Sequence, residues 1–161
     1  MSVRSSDRTE SKLEVIYQAT KLEEALNDLS LRSFGIRSRN SPLRRKYEMA
    51  VRISGDSEKI DTIINERSNR LRQYANDILM LVQSANSIFP HYRFECEERI
   101  SLQNKALETC AKVKSELTSI VGMFDVRVDT FRTVTLLLEK EIDLIKRWRS
   151  KDRTRLEGLP L

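Results

Sequence analysis

The sequence predicts an all-α fold: an antiparallel four-helix bundle with a long basic link between helices 1 and 2. Three observations carry that expectation. Apolar residues recur at three- and four-residue spacings over four long stretches, which is the period of a helix with one face in a core. Only four glycines and three prolines interrupt the 161 residues, too few for the turns of an all-β chain. Hydrophobic residues make up 39% and charged residues 33%, a balance suited to charged outer faces around one core. At this length a single domain, 1–161, can bury its core without staples, with 1–9 and 156–161 as flexible tails.

The first helix is expected from about Glu10 to Ser33, with Leu13, Ile16, Tyr17, Leu22, Ala25, Leu26 and Leu29 as its apolar stripe. Gly35 is placed to end it, because glycine takes the left-handed conformation in which helices often stop. The link IRSRNSPLRRKYEMAVRISGD follows. Within it Ser41 and Pro42 are expected to start one or two helical turns, since proline at the first helical position loses no bond.

The second long helix begins after Gly55, capped by Asp56 or Ser57, with Glu58 favourable to the helix dipole. Ile60, Ile63, Ile64, Leu71, Tyr74, Ile78, Leu81, Val82 and Ala85 form its apolar face, and Pro90 stops it. The third helix, about Tyr92 to Val121, places Ile100, Leu107, Cys110, Ala111, Val113, Leu117 and Ile120 inward and breaks at Gly122. The fourth, from about Asp129, carries a coiled-coil-like seam of Phe131, Val134, Leu138, Ile142 and Ile145. Trp148 is its last apolar contact, read either as core or as an oligomer interface.

The N-terminal MSVRSSDRTESK lacks the apolar centre of a secretory signal. No apolar run approaches the roughly 20 residues that cross a bilayer, so a cytoplasmic location without membrane contact is expected. Cys96 and Cys110 fall in one helical pattern, roughly 21 Å apart at 1.5 Å per residue, too far for a disulfide. Both read as small buried hydrophobes.

Little points to catalysis. The single histidine, His91, sits beside Pro90 without a Ser or Cys nucleophile arranged around it. Di-metal bundles need Glu-x-x-His pairs, which this sequence lacks. The acidic run ECEE at Glu95–Glu98 reads as a solvated helix start, and the solitary glycines form no phosphate loop. The expectation is a protein that is not an enzyme, with no catalytic residue, metal or cofactor.

Charge distribution is more informative. The net charge is +5, but it is concentrated in two places. Arg32, Arg37, Arg39, Arg44, Arg45, Lys46 and Arg52 face Glu48 alone, and Lys146, Arg147, Arg149, Lys151, Arg153 and Arg155 face Asp152 alone. The remainder of the chain is net acidic. Arginine's planar fork suits phosphate, and such contacts give salt-dependent binding with little sequence readout. The candidate binding residues are therefore Arg37, Arg39, Arg44, Arg45, Lys46, Lys146, Arg147, Arg149, Lys151, Arg153 and Arg155. A helix C-terminus also favours positive charge by itself, so a solvated terminus is the competing reading. Up-and-down topology puts the two clusters at opposite ends of a monomer.

The segment SANSIFPHYRFECEERISLQNKALETCAKVKSEL, with LLLEKEIDLIKRWRSKD, resembles the accessory variability determinant (Avd) proteins of diversity-generating retroelements. These belong to a wider set of four-helix proteins that includes the ribosomal-RNA intervening-sequence proteins. The likeness rests on Tyr92, Glu97, Arg99, Leu102 and Gln103, then Glu139, Glu141, Ile142, Ile145, Lys146, Trp148 and Arg149, and extends loosely over 10–155. It is a likeness of pattern, without a catalytic motif. It implies a basic, barrel-like homopentamer that binds a reverse transcriptase and its template RNA, with DNA or an RNA/DNA hybrid as further ligands, and supports mutagenic cDNA synthesis. This chain departs from compact members in the long link from Gly35 to Asp56 and in the extension after Lys151. The alternative function is a helical protein–protein adaptor whose basic clusters serve solubility or meet an acidic partner.

Overall fold

The structure is a computed structural model. It describes the backbone of residues 5–161 and the side chains of 14–127 and 129–161. Five α-helices make up the described chain: α1 (Ser5–Leu31), α2 (Pro42–Ser54), α3 (Ser57–Ser87), α4 (Arg93–Phe124) and α5 (Arg132–Gly158). No strand occurs among the described residues. α1 packs on α3 and α5, α4 packs on α3 and α5, and α2 lies across α3 and α4.

Side-chain contacts mark where three of these pairs meet. Ser30, late in α1, donates to the carbonyl of Ser68, in the first half of α3, at 3.0 Å. Arg67 and Arg70 of α3 reach Glu116 late in α4, at 3.0 and 2.8 Å. At the other end Arg99, early in α4, meets Asp152 late in α5.

The inner face of α1 is Val15, Gln18, Ala19, Leu22, Leu26 and Leu29. This corrects the expected stripe: Tyr17 is exposed, while Ile16 and Ala25 are half-buried. Leu13 lies outside the described side chains. A polar residue takes one inner position, because Gln18 can donate to the Leu137 carbonyl of α5 at 3.4 Å. α1 stops at Leu31, and a single 3-10 turn, Ser33–Gly35, follows. There Phe34 is left-handed (φ 60°) and packs edge-on against Phe131, 6.2 Å between ring centroids.

The link differs most from expectation. Ser41 caps α2 as anticipated, accepting from the Leu43 N–H at 3.2 Å with Pro42 in the first turn. The helix then runs for 13 residues rather than one or two turns. Leu43, Tyr47 and Ala50 form a narrow apolar stripe against the core, enough to hold a helix whose other faces are cationic or exposed. Gly55 ends it at φ 66°, its N–H donating to the Val51 carbonyl at 2.9 Å.

Asp56 caps α3 by accepting from the Lys59 N–H at 3.1 Å. Glu95 begins α4 by accepting from the backbone of Tyr92 at 3.1 Å and His91 at 3.3 Å. α4 continues past Gly122 to Phe124, where Asp125 takes the left-handed cap at φ 50°. Gly122 is exposed, and burial of Phe124 one turn-fraction later carries the helix through it. Ala111, expected inward, is exposed, and Ile100 and Leu107 are half-buried. α5 starts after a second 3-10 turn, Val128–Phe131. Residues 1–4 of the expected N-terminal tail lie outside the described residues, and α1 begins at Ser5. The expected C-terminal tail is instead helical to Gly158 and tied down beyond it, with the Arg93 N–H donating to the Pro160 carbonyl at 2.9 Å.

Candidate nucleic-acid interface

The C-terminal half of α5 is organised by a buried ion pair. Arg99 of α4 is 1% exposed and Asp152 of α5 2% exposed. The guanidinium grips the carboxylate with two donors: Nε to Oδ2 at 2.8 Å, and Nη2 to Oδ1. Gln103 Nε2 donates to the same Oδ2 at 2.7 Å, and Arg99 Nη1 donates to the Ile88 carbonyl at 3.0 Å. The Arg99 guanidinium also lies 5.6 Å from the centroid of the Trp148 ring. Two charges leave water here, and bidentate geometry with further hydrogen bonds offsets that cost. The end of α3, the start of α4 and the end of α5 are thereby locked together.

That lock changes the surface. Asp152 is the only acid between Lys146 and Arg155, and it points inward to Arg99. Lys146, Arg147, Lys151, Arg153 and Arg155 are exposed, and Arg149 is half-buried with Nη1 donating to Asn104 Oδ1 at 2.9 Å. Arg147 pairs with Asp143 at 2.5 Å. Lys146, Arg149, Lys151, Arg153 and Arg155 have no carboxylate within 4.0 Å among the described residues.

The second cluster sits at the other end. Phe34, just after α1, contacts Phe131 at the start of α5, roughly 27 Å along the helix from Arg149 at 1.5 Å per residue. Here the cations are partly neutralised. Arg44 Nε donates to Glu48 at 3.1 Å and its Nη1 to the Ile36 carbonyl at 3.2 Å. Lys46 lies 4.0 Å from Asp125. Tyr47 donates to Asp61 at 2.5 Å, which holds the Tyr47 hydroxyl proton and raises its pKa. Arg37, Arg39 and Arg45 are exposed and pair with no carboxylate among the described residues.

Trp148 is 8% exposed and forms part of the core between α1, α4 and α5. Both cysteines are buried, as expected of small hydrophobes. Burial pushes the Cys110 thiol up to about 12, with the nearby Glu141 adding to it. Glu141 was not anticipated inside: it is 0% exposed, and neither carboxyl oxygen has a partner among the described residues. Burial raises its pKa to about 8. His91 is exposed in the turn before α4. Among the described residues no group of three His, Cys, Asp or Glu side chains could hold a metal ion, and no helix is long and apolar enough to cross a membrane.

No known protein family, curated protein or solved structure matches the chain.

Sequence reasoning overlooked Arg99, Gln103, Glu141 and Asp152 as structural residues. A signal was present. Arg99 and Gln103 are four apart on the α4 face that also carries Cys96 and Cys110, and Trp148 and Asp152 are four apart on the α5 seam. Continuing the three- and four-residue steps past the last apolar residue places Asp152 inward.

Proposed function

We propose that the chain is a non-enzymatic accessory protein that binds nucleic acid through the exposed cations at the end of α5. One observation carries this reading: burial of Asp152 against Arg99 leaves five neighbouring cations without a carboxylate partner among the described residues. Helix-dipole compensation would be satisfied by one or two charges in the last turn; the cluster spans almost three turns. Arginines and lysines without carboxylate partners, set around the end of a rigid helix, suit phosphate binding.

The finer reading is an antiparallel four-helix bundle, with α2 as an appendage, acting as an Avd-like subunit beside a retroelement reverse transcriptase and its template RNA. It is supported by the sequence pattern shared with Avd proteins and by the pairing of α1, α3, α4 and α5 around one core. Assembly into a homopentamer belongs to the same reading. Leu31, Met49, Ile53 and Met123 are exposed apolar residues available for contacts between subunits. An adaptor role without nucleic acid is the second reading, favoured by the exposure of Met49 and Ile53 on α2.

Two measurements test the proposal. Filter binding of a structured RNA across a salt series should show affinity that falls steeply as salt rises; negligible affinity at low salt would refute phosphate contact. Co-purification with a reverse transcriptase should survive in the Avd-like reading. A protein partner retained after nuclease treatment and in high salt, without RNA affinity, would support the adaptor instead.

A further inference from the structure

The start of α4, from its N-cap Tyr92 to Phe94 in the first turn, carries aromatic rings that the core leaves outside. Tyr92 is 47% exposed and Phe94 64% exposed. The two rings stack, with centroids 5.9 Å apart and planes within 11° of parallel. Glu95 pins the backbone beneath them by accepting from Tyr92 and His91.

Arg93, between the two rings in sequence, ties them to the basic end of α5. Its N–H donates to the Pro160 carbonyl at 2.9 Å, its Nε to the Leu159 carbonyl at 2.8 Å and its Nη2 to the Glu157 carbonyl at 3.4 Å. Two residues beyond Phe94, the Cys96 thiol donates to the Asp152 carbonyl of α5 at 3.4 Å, next to Arg153. The stacked rings and the unpaired cations of α5 therefore belong to one end of the molecule, held by the Arg93 strap and the Arg99–Asp152 lock.

We propose that this end is a platform for single-stranded nucleic acid, with bases stacked on Tyr92 and Phe94 and phosphates on Arg153 and Arg155. The inference rests on the nucleic-acid reading above and narrows it to unpaired bases. A duplex hides the faces of its bases inside its own stack, so exposed rings add nothing to duplex binding. Every unpaired base offers a π-face, and aromatic platforms beside a basic track bind single strands without sequence preference. Glu97 and Glu98 are exposed near Phe94 on α4 and disfavour phosphate beside that ring.

The test titrates the full chain into a labelled, unstructured RNA oligonucleotide, alone and annealed to its complement. Phe94→Ala, Phe94→Leu, Tyr92→Ala and the pair Arg153→Gln/Arg155→Gln are compared, with circular dichroism and unfolding midpoints to establish that each folds. The single strand should bind more tightly than the duplex. Each aromatic substitution should weaken single-strand binding about tenfold and leave duplex binding and the salt slope unchanged. Phe94→Leu should behave like Phe94→Ala, because bulk without a π-face does not stack. The arginine pair should weaken both ligands and flatten the salt slope. Single-strand binding that is indifferent to the rings, or a preference for duplex, overturns the platform while leaving the phosphate surface standing. No salt-dependent binding of either RNA overturns both readings.

Discussion

Replacing Glu141 by glutamine should stabilise the protein at alkaline pH and do little in acid. The carboxyl is fully buried with no partner among the described residues, and burial raises its pKa from the ordinary 4.5 to about 8. Below the unfolded value both folded and unfolded chains carry the proton, so the group exacts no pH-dependent cost. Between the two values the unfolded chain releases the proton and the folded chain keeps it, so stability falls as pH rises. Each tenfold displacement of a protonation equilibrium is worth about 1.36 kcal/mol, which puts the full loss at about 3–5 kcal/mol, complete above the folded pKa. Glutamine has the same shape, resembles the neutral carboxyl and does not titrate. Urea unfolding of both proteins at acid, neutral and alkaline pH reads the difference directly. The wild type should lose stability relative to Glu141→Gln by the stated amount on going from acid to alkaline pH. Parallel curves would refute the argument, since they would mean that Glu141 meets water or a partner in the folded state.

Further outcomes follow from the packing. Asp152→Asn or Arg99→Met should cost about 3–5 kcal/mol, because each leaves an uncompensated buried charge; the double variant Arg99→Met/Asp152→Leu should recover much of the loss, as read by thermal or denaturant unfolding. Trp148→Ala should destabilise by about 3–5 kcal/mol, and an intact monomer with altered assembly mass would instead place the ring between subunits. Cys96 and Cys110 should resist alkylation at neutral pH in the folded chain and react on unfolding, since burial raises both thiols. Neutralising Arg37, Arg39 and Arg45 together should weaken RNA binding less than neutralising the α5 cluster, because Glu48, Asp61 and Asp125 already lie among the cations at that end.

The helical character, the caps at Ser41 and Asp56 and the stop before Pro90 were legible because each depends on residues close together in sequence. The length of α2 was not. Its stripe of Leu43, Tyr47 and Ala50 is too sparse to outweigh four basic residues until α3 and α4 supply a surface for it. The inner polar residues were hidden for a different reason. Apolar periodicity finds the core through residues that bury themselves alone, whereas Arg99 enters only with Asp152, 53 positions away. Gln18 likewise needs a carbonyl on α5, 119 positions away. The basic clusters were visible as composition, but the difference between them was not. Which cations remain without a carboxylate depends on Asp152 turning inward and on Glu48, Asp61 and Asp125 turning toward the other cluster.

The most direct test of the phosphate surface is the slope of log K against log salt for single-stranded RNA, measured for the wild type and for Lys146→Gln/Lys151→Gln/Arg153→Gln/Arg155→Gln. Each phosphate contact on a single strand contributes about 0.7 to that slope, so the fourfold variant should lose up to about 2.8 while keeping its fold. An unchanged slope, or a wild type that fails to bind at about 50 mM salt, would contradict the account.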